Sequence, residues 1–122
     1  MKNKKFVLIV SILILLINVG CQKKSIRSIS AIVGKEYVYL CTDGSVVKAQ
    51  FGELSDKCLR FVKIKMDNGK EYTLPQLVSA SGARYSDEYE LEFWIKGNRV
   101  TISKMNENGE WKVEKEGETK EE

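Results

Sequence analysis

Short apolar runs separated by turn-forming dipeptides are the feature that most constrains this chain. Asp43-Gly44, Asn68-Gly69, Gly97-Asn98 and Asn108-Gly109 punctuate the sequence, and no long stretch repeats apolar residues at helical spacing. Many short strands joined by such turns predict an all-β fold, either a small sandwich or a barrel. The predicted strands are 36–41, 46–51, 58–66, 71–74, 76–80, 89–96, 99–104 and 110–114.

The segment 89–104 carries the clearest hairpin pattern. Apolar and polar side chains alternate through 89–96 and again through 99–104, on either side of Gly97-Asn98. A two-residue loop predicts Lys96 opposite Arg99, with both strands burying the same face. Trp94 and Lys96 are then expected on the outer face, at the turn end. The same register pairs Ile95 with Val100 and Phe93 with Ile102.

The turn at Asn68-Gly69 is less regular. Matching the apolar faces of its two strands predicts a three-residue loop with a glycine bulge. In this register Ile64 lies opposite Leu74, and Met66 lies opposite Tyr72.

The N-terminus has the composition of an export signal. Residues 2–5 are basic apart from one Asn, and residues 6–17 are apolar apart from one Ser. This run is too short to span a membrane as a helix, which needs about 20 apolar residues. Together with a small residue at Gly20, it predicts a signal peptide over 1–20. Residues 21–35 are mostly polar or small and predict a flexible tether.

Charge and composition exclude several classes of function. The sequence has 20 basic and 17 acidic residues, and removal of residues 1–20 takes away three Lys, leaving the two signs equal. No basic stripe with interleaved aromatic residues remains, so nucleic acid is not an expected partner. The sequence has no His, which excludes Ser-His-Asp and Cys-His catalysis and zinc sites that use imidazole. No metal or cofactor is expected.

Three cysteines occur, at positions 21, 41 and 58. If Cys21 carries lipid, Cys41 and Cys58 remain as an even pair in an oxidising compartment, which predicts a disulfide between them. The alternative is two free, buried thiols.

The last residues differ from the rest. The segment 115–122 is strongly acidic and has no apolar side chain. Such a segment buries too little surface to offset its ordering entropy, so a disordered tail is predicted there. The folded domain is accordingly predicted over 36–114.

Two motifs suggest a function. Residues 79–85 read SASGARY, and residues 93–97 read FWIKG. Taken alone, the first predicts a tight loop around Gly82, and the second predicts a hairpin end with a solvated Lys. Val19-Gly20-Cys21 resembles the bacterial lipoprotein box, in which the Cys becomes the lipidated first residue. In this order and behind such a signal, the motifs resemble the membrane-bound inhibitors of c-type lysozyme.

The resemblance covers roughly residues 37–104 and also includes Tyr39-Leu40-Cys41 and Asp43-Gly44. It implies an eight-stranded antiparallel barrel that is not an enzyme. It also implies that a Ser loop and a Lys-Gly turn enter the lysozyme cleft. The expected contact residues are Ser81, Gly82, Arg84, Tyr85, Lys96 and Gly97, with Ser81 and Lys96 foremost.

The resemblance also implies a location and an assembly. Lipid on Cys21 would hold the protein in the cell envelope, at the periplasmic face of the outer membrane, as a monomer or weak dimer. In one respect the chain departs from the family: the Cys at position 41 usually pairs with one near the C-terminus, and no Cys follows Cys58 here.

Two other classes of function stay open at this point. An enzyme could use paired carboxylates at Glu90 and Glu92 or at Asp87 and Glu88, as glycosidases do. The residues themselves favour a solvated strand face for these groups. A non-catalytic envelope module could instead bind polysaccharide or another envelope protein.

Overall fold

The computed structural model describes Asn3 and residues 25–121. Apart from Asn3, the predicted signal peptide lies outside the described residues, and so does the lipidation site Cys21. Within the described part of the chain, no helix is long and apolar enough to cross a membrane. The described strands are β1 (Ala31–Cys41), β2 (Val46–Leu54), β3 (Arg60–Lys65), β4 (Glu71–Leu77), β5 (Ala83–Ser86), β6 (Leu91–Lys96), β7 (Arg99–Met105) and β8 (Trp111–Glu118).

The eight strands form a closed antiparallel barrel in sequence order. Each strand pairs with the next, and β8 returns to β1. Closure removes the free edges that an open sheet would expose. The predicted all-β barrel is therefore confirmed.

Alternate side chains of the strands fill the barrel interior. Aromatic rings form part of this core, with the Tyr39 and Phe93 centroids 5.8 Å apart and the Phe51 and Tyr85 centroids 5.6 Å apart. Burial of each large apolar side chain contributes about 1.5–3 kcal/mol. The largest fully buried apolar side chains are Phe93, Ile64, Leu74, Leu91, Ile102, Val47, Val62 and Val100.

The β6–β7 hairpin has the predicted register. Lys96 lies opposite Arg99, and Phe93 lies opposite Ile102. Gly97 adopts a φ of 60°, the left-handed conformation that a tight two-residue turn requires. Lys96 is exposed at the turn end, as its position in the pattern predicts.

The β3–β4 hairpin confirms the loop but not the predicted pairing. The Met66 N–H donates to the Lys70 carbonyl at 2.8 Å, and Gly69 has a φ of 84°, which is a three-residue loop with a glycine bulge. This loop sets Ile64 opposite Tyr72, two residues from the predicted partner. A shift of two keeps every side chain on its face, so the apolar pattern alone does not distinguish the two registers.

The predicted boundaries differ most from the structure in three places. The segment 76–80 is not a separate strand, because β4 continues through Pro75 to Leu77 and β5 begins only at Ala83. The barrel begins at Ala31 rather than at residue 36, because the first residues of β1 pair with the end of β2. The predicted disordered tail is wrong for residues 115–118, which pair with β7 and β1 as part of β8.

The predicted disulfide is also wrong. Cys41 is free and buried at the end of β1, and Cys58 is free and exposed in the loop after β2. The nine residues of β2 lie between them, a rise of roughly 30 Å at about 3.3 Å per residue. A disulfide needs Cα atoms within about 7 Å.

We call the junction of β1 and β8 the seam. Only two residue pairs join these strands, Leu40 with Glu118 and Cys41 with Gly117. A Cβ added at Gly117 would lie 3.1 Å from the Cys41 Sγ. The two strands therefore approach each other closely at a position where β8 carries no side chain.

Lys115 reinforces the seam. Its Nζ donates to the Asp43 Oδ2 at 2.7 Å and to the Ser45 Oγ at 2.8 Å, and lies 3.8 Å from the Asp67 Oδ1. One side chain of β8 thus contacts the β1–β2 turn and the β3–β4 turn. We call these four residues the Lys115 clasp. Hydrogen bonds from Lys115 and Ser45 hold the pKa of Asp43 below its ordinary value, and the bond to Asp43 raises the pKa of Lys115.

Candidate functional site

The loop 78–82 joins β4 to β5 and lies against the end of β6. Gly82 has a φ of 66°, and a Cβ added there would collide with the Ile95 carbonyl oxygen and lie 2.8 Å from the Lys96 Cγ. Only glycine permits this approach. The Ser79 hydroxyl donates to the Gly82 carbonyl at 3.1 Å. The loop is therefore held in a fixed position beside the β6–β7 turn.

Trp94 connects this loop to Lys96. Its indole Nε1 donates to the Ser81 carbonyl oxygen at 2.9 Å, and the Lys96 Nζ lies 4.6 Å from the centroid of a Trp94 ring. The same side chain thus positions the Ser81 backbone and the Lys96 ammonium. We call Ser81, Gly82, Trp94, Lys96 and Gly97 the tip.

The sequence places Trp94 on the same strand face as Lys96 but does not assign it this role. The contact with Ser81 spans thirteen positions and depends on the pairing of β5 with β6. The available signal is the spacing of Trp94 and Lys96, two residues apart on one face of a strand.

Lys96 differs from most charged groups of the described barrel. Among the described residues, no carboxylate oxygen lies within 4.0 Å of its Nζ, and its ammonium rests on an aromatic face. A cation in this arrangement gains about 0.5–1 kcal/mol at an exposed site and keeps its capacity to donate hydrogen bonds. The tip therefore presents an ammonium and, at Ser81, an exposed hydroxyl.

Arg84 lies opposite Trp94 in the pairing of β5 with β6 and shares its strand face, whereas Tyr85 lies opposite Phe93 and points into the barrel core. The Arg84 Nε lies 2.5 Å from the Glu92 Oε2, in an ion pair with little solvent exposure. Tyr85 is buried beside Phe51, and burial raises the pKa of its hydroxyl. Both residues have partners within the chain and support β5.

The four acidic residues considered for catalysis do not converge. Glu92 is only 8% exposed, so its predicted solvated position is wrong. It pairs with Arg84, whereas Glu90 accepts hydrogen bonds from Lys70 at 2.7 Å and Tyr72 at 2.9 Å. These two carboxylates thus have separate partners.

Asp87 serves the β5–β6 turn, in which Glu88 is exposed. The Asp87 Oδ1 accepts backbone N–H groups of residues 89, 90 and 91. Burial acts to raise the pKa of Asp87, but these hydrogen bonds outweigh it and hold the pKa below its ordinary value. In the described part of the chain, no group of three or more His, Cys, Asp or Glu is arranged to hold a metal ion.

Comparison with known proteins identifies the family. The family model described as membrane-bound lysozyme-inhibitor of c-type lysozyme matches residues 39–111. The chain belongs to this family. A curated relative, the membrane-bound lysozyme inhibitor of C-type lysozyme from Yersinia enterocolitica, is 32% identical over 92 residues, covering 66% of this chain and 78% of the relative. No solved structure matches the chain.

The inhibitor-family match contains the whole tip, from Ser81 to Gly97, and confirms the family resemblance of the two motifs. It ends at Trp111, the first residue of β8. The remainder of β8, with Lys115 and Gly117 at the seam, lies beyond the matched residues.

Proposed function

We propose that this protein inhibits a c-type lysozyme by inserting its tip into the active-site cleft. The observation that carries the proposal is the position of Trp94, which bonds the Ser81 carbonyl and lies beneath the Lys96 ammonium. A hydroxyl and a cation held together on one end of a rigid barrel suit a cleft that contains two carboxyl groups.

The chemistry of lysozyme supports this pairing. A c-type lysozyme acts with two carboxyl groups, one ionised and one held protonated by an apolar pocket. In our proposal Lys96 pairs with a cleft carboxylate, and the Ser81 hydroxyl hydrogen-bonds the other carboxyl. Because the tip also fills the cleft, substrate is excluded while both groups are satisfied.

The remaining predicted contact residues have supporting roles in this proposal. Gly82 allows the loop to lie against the end of β6, and Gly97 provides the left-handed conformation of the β6–β7 turn. Arg84 and Tyr85 keep β5 in place, since each already has a partner within the chain. The protein itself acts without catalysis.

Titration of lysozyme activity with single variants tests the proposal. We expect Lys96→Ala to weaken inhibition by roughly 30-fold or more, because loss of one member of an interfacial charge pair typically costs about 2–5 kcal/mol. Ser81→Ala should cost about 1–3 kcal/mol, because it leaves a buried, protonated carboxyl without its hydrogen-bond partner. Lys112→Ala, at an exposed lysine of β8, is the matched control and should inhibit normally.

Thermal melting of each variant checks that the barrel is intact. Potent inhibition by a folded Lys96→Ala variant would exclude the role of Lys96 while leaving family membership untouched. Absence of inhibition of any c-type lysozyme by the wild type would instead favour an envelope-binding module.

We also propose that the protein is anchored by lipid on Cys21 in the cell envelope, at the periplasmic face of the outer membrane. The first strand of the described barrel begins at Ala31, ten positions after Cys21 in the sequence. In this proposal the tether is the segment of the chain between Cys21 and the first strand at Ala31. Mass spectrometry of the native protein should find an acylated Cys21, and Cys21→Ser should release the domain into the soluble envelope fraction.

A further inference from the structure

Val78 is the most exposed of the large apolar side chains in the described residues, at 97%. It lies between Leu77, the last residue of β4, and Ser79, whose hydroxyl fixes the loop by bonding the Gly82 carbonyl. An exposed valine in this position stabilises nothing inside the barrel. It belongs to the same short loop as Ser81, three positions before it in the sequence.

The loop that carries Val78 is rigidly mounted. Ser79 bonds across the loop, the Ser81 carbonyl accepts the Trp94 indole N–H, and Gly82 lies against the backbone of Ile95. A fixed loop loses little conformational entropy on binding, so an apolar group on it retains more of its burial energy as affinity.

We propose that Val78 is the apolar contact of the Ser loop, packing against the hydrophobic wall that surrounds the protonated carboxyl of the lysozyme cleft. This inference rests on the proposed function. The protonated carboxyl of such an enzyme owes its state to an apolar pocket. A loop that brings a hydroxyl and an apolar side chain together matches both parts of that pocket.

The contact also has an effect on Lys96. An apolar side chain at the edge of the tip excludes water from the cleft, and water exclusion strengthens neighbouring charged contacts. In this proposal the burial of Val78 adds to the binding free energy directly, and it also strengthens the ion pair that Lys96 forms with the cleft carboxylate.

An isosteric substitution tests the inference with the full-length protein in mild detergent. Val78→Thr keeps the β-branched shape and replaces one methyl by a hydroxyl. We expect affinity for c-type lysozyme to fall about tenfold, mainly through faster dissociation, because the hydroxyl is desolvated without a partner. The heat-capacity change of binding should become less negative, since less apolar surface is buried.

Val113→Thr is the matched control. Val113 is 60% exposed on β8, outside the tip, so this variant should bind like the wild type. Val78→Ile, which keeps an apolar side chain, should retain wild-type affinity. Both outcomes would support a contact specific to the loop.

The possible failures are distinguishable. If Val78→Thr binds like the wild type while Lys96→Ala loses affinity, the proposed function stands and the role of Val78 is wrong. If Val113→Thr weakens binding equally, the effect is not specific to the loop, and the role is again wrong. If the wild type binds no c-type lysozyme, both proposals fail.

Discussion

The tip and the seam use lysine in opposite ways. At the seam, Lys115 donates to Asp43 and Ser45 and lies near Asp67, and its side chain is only 12% exposed. At the tip, Lys96 rests on Trp94, and no described carboxylate lies within ion-pair distance. A charge that supports the fold has partners within the chain, whereas a charge suited to binding retains unfilled hydrogen-bonding capacity.

The two regions also differ in what the backbone contributes. The loop of the tip depends on a glycine in the left-handed region that lies against β6. The seam depends on a glycine of ordinary φ, which lets β8 lie close to Cys41. Substitutions at these two glycines should therefore differ in their effect on inhibition, which only the substitution at the tip should change.

The largest expected effect comes from making the seam covalent. A Cβ at position 117 lies close to the Cys41 Sγ, so Gly117→Cys in a Cys58→Ser background should form a disulfide under oxidation. The bond would close a loop of roughly 77 residues, which on the chain-entropy model contributes up to about 4.5 kcal/mol. Chemical unfolding with and without reductant measures the gain.

One control variant and one further measurement sharpen this test. Gly117→Ala adds the Cβ without the sulfur, and it reports the cost of the approach to the Leu40 carbonyl, 2.9 Å from that Cβ. Inhibition of lysozyme should not change in either variant. An oxidised Gly117→Cys protein no more stable than its reduced form would contradict our description of the seam.

A smaller effect is expected from Gly82→Ala at the tip. The substitution places a Cβ at positive φ and against the Ile95 carbonyl, so the loop must move away from Trp94 and Lys96. Backbone strain of this kind costs about 1–3 kcal/mol, and inhibition should fall by between about tenfold and 100-fold.

Gly109→Ala is the matched control for Gly82→Ala. Gly109 has a similar φ of 77°, but an added Cβ meets nothing within 4 Å. We expect a modest loss of stability and normal inhibition. Equal inhibition by the two variants would show that the close approach at Gly82 is not needed.

The local parts of the molecule were the predictable ones. Alternation of period two and the Gly97-Asn98 turn were sufficient for the β6–β7 hairpin, because register there depends on residues close in sequence. The prediction of a disordered tail is wrong because the structure of this segment depends on strands that are distant in the sequence. Lys115 and Gly117 look like parts of a solvated acidic segment, and only pairing with β7 and β1 makes them structural.

The candidate site likewise has some features that the local sequence predicts and others that depend on strand pairing. The exposure of Ser81 and Lys96 follows from the turn and the strand pattern. The bond from Trp94 to Ser81 and the pairing of Arg84 with Glu92 arise from the packing of β5 against β6, which a single sequence does not specify. The even number of remaining cysteines predicts a disulfide between Cys41 and Cys58, but the length of β2 keeps the two residues too far apart to form one.

A crossed pair of lysine substitutions tests the opening comparison directly. Lys115→Met should lower the free energy of unfolding by about 1 kcal/mol, as for a partly exposed ion pair, and leave inhibition unchanged. Lys96→Met should do the reverse, weakening inhibition with little change in stability, because the Met thioether can replace the ammonium against the Trp94 ring. Urea unfolding and lysozyme titration of both variants give the four values required. If either variant affected both measurements equally, the separation of the two regions would be wrong.

The smallest expected effect is the pH dependence of the Lys115 clasp. The pKa of Asp43 is lowered by hydrogen bonds from Lys115 and Ser45, and the pKa of Lys115 is raised by its bond to Asp43. A carboxylate with a lowered pKa stabilises the fold above its unfolded pKa of about 3.9, and this contribution is lost as pH falls through the folded value. A lysine with a raised pKa stabilises the fold below about 10.4, and this contribution is lost as pH rises through the folded value.

The stability difference between the wild type and Lys115→Met should therefore be constant from about pH 5 to pH 9 and shrink on either side. Urea unfolding of both proteins across this range measures the difference, and the shared background of other titrating groups cancels in the subtraction. Lys96→Met provides the contrast, because Lys96 has no described carboxylate within ion-pair distance and its stability difference should stay near zero throughout. A difference for Lys115→Met that persisted unchanged below about pH 3 would mean that Asp43 does not stabilise the seam through its charge.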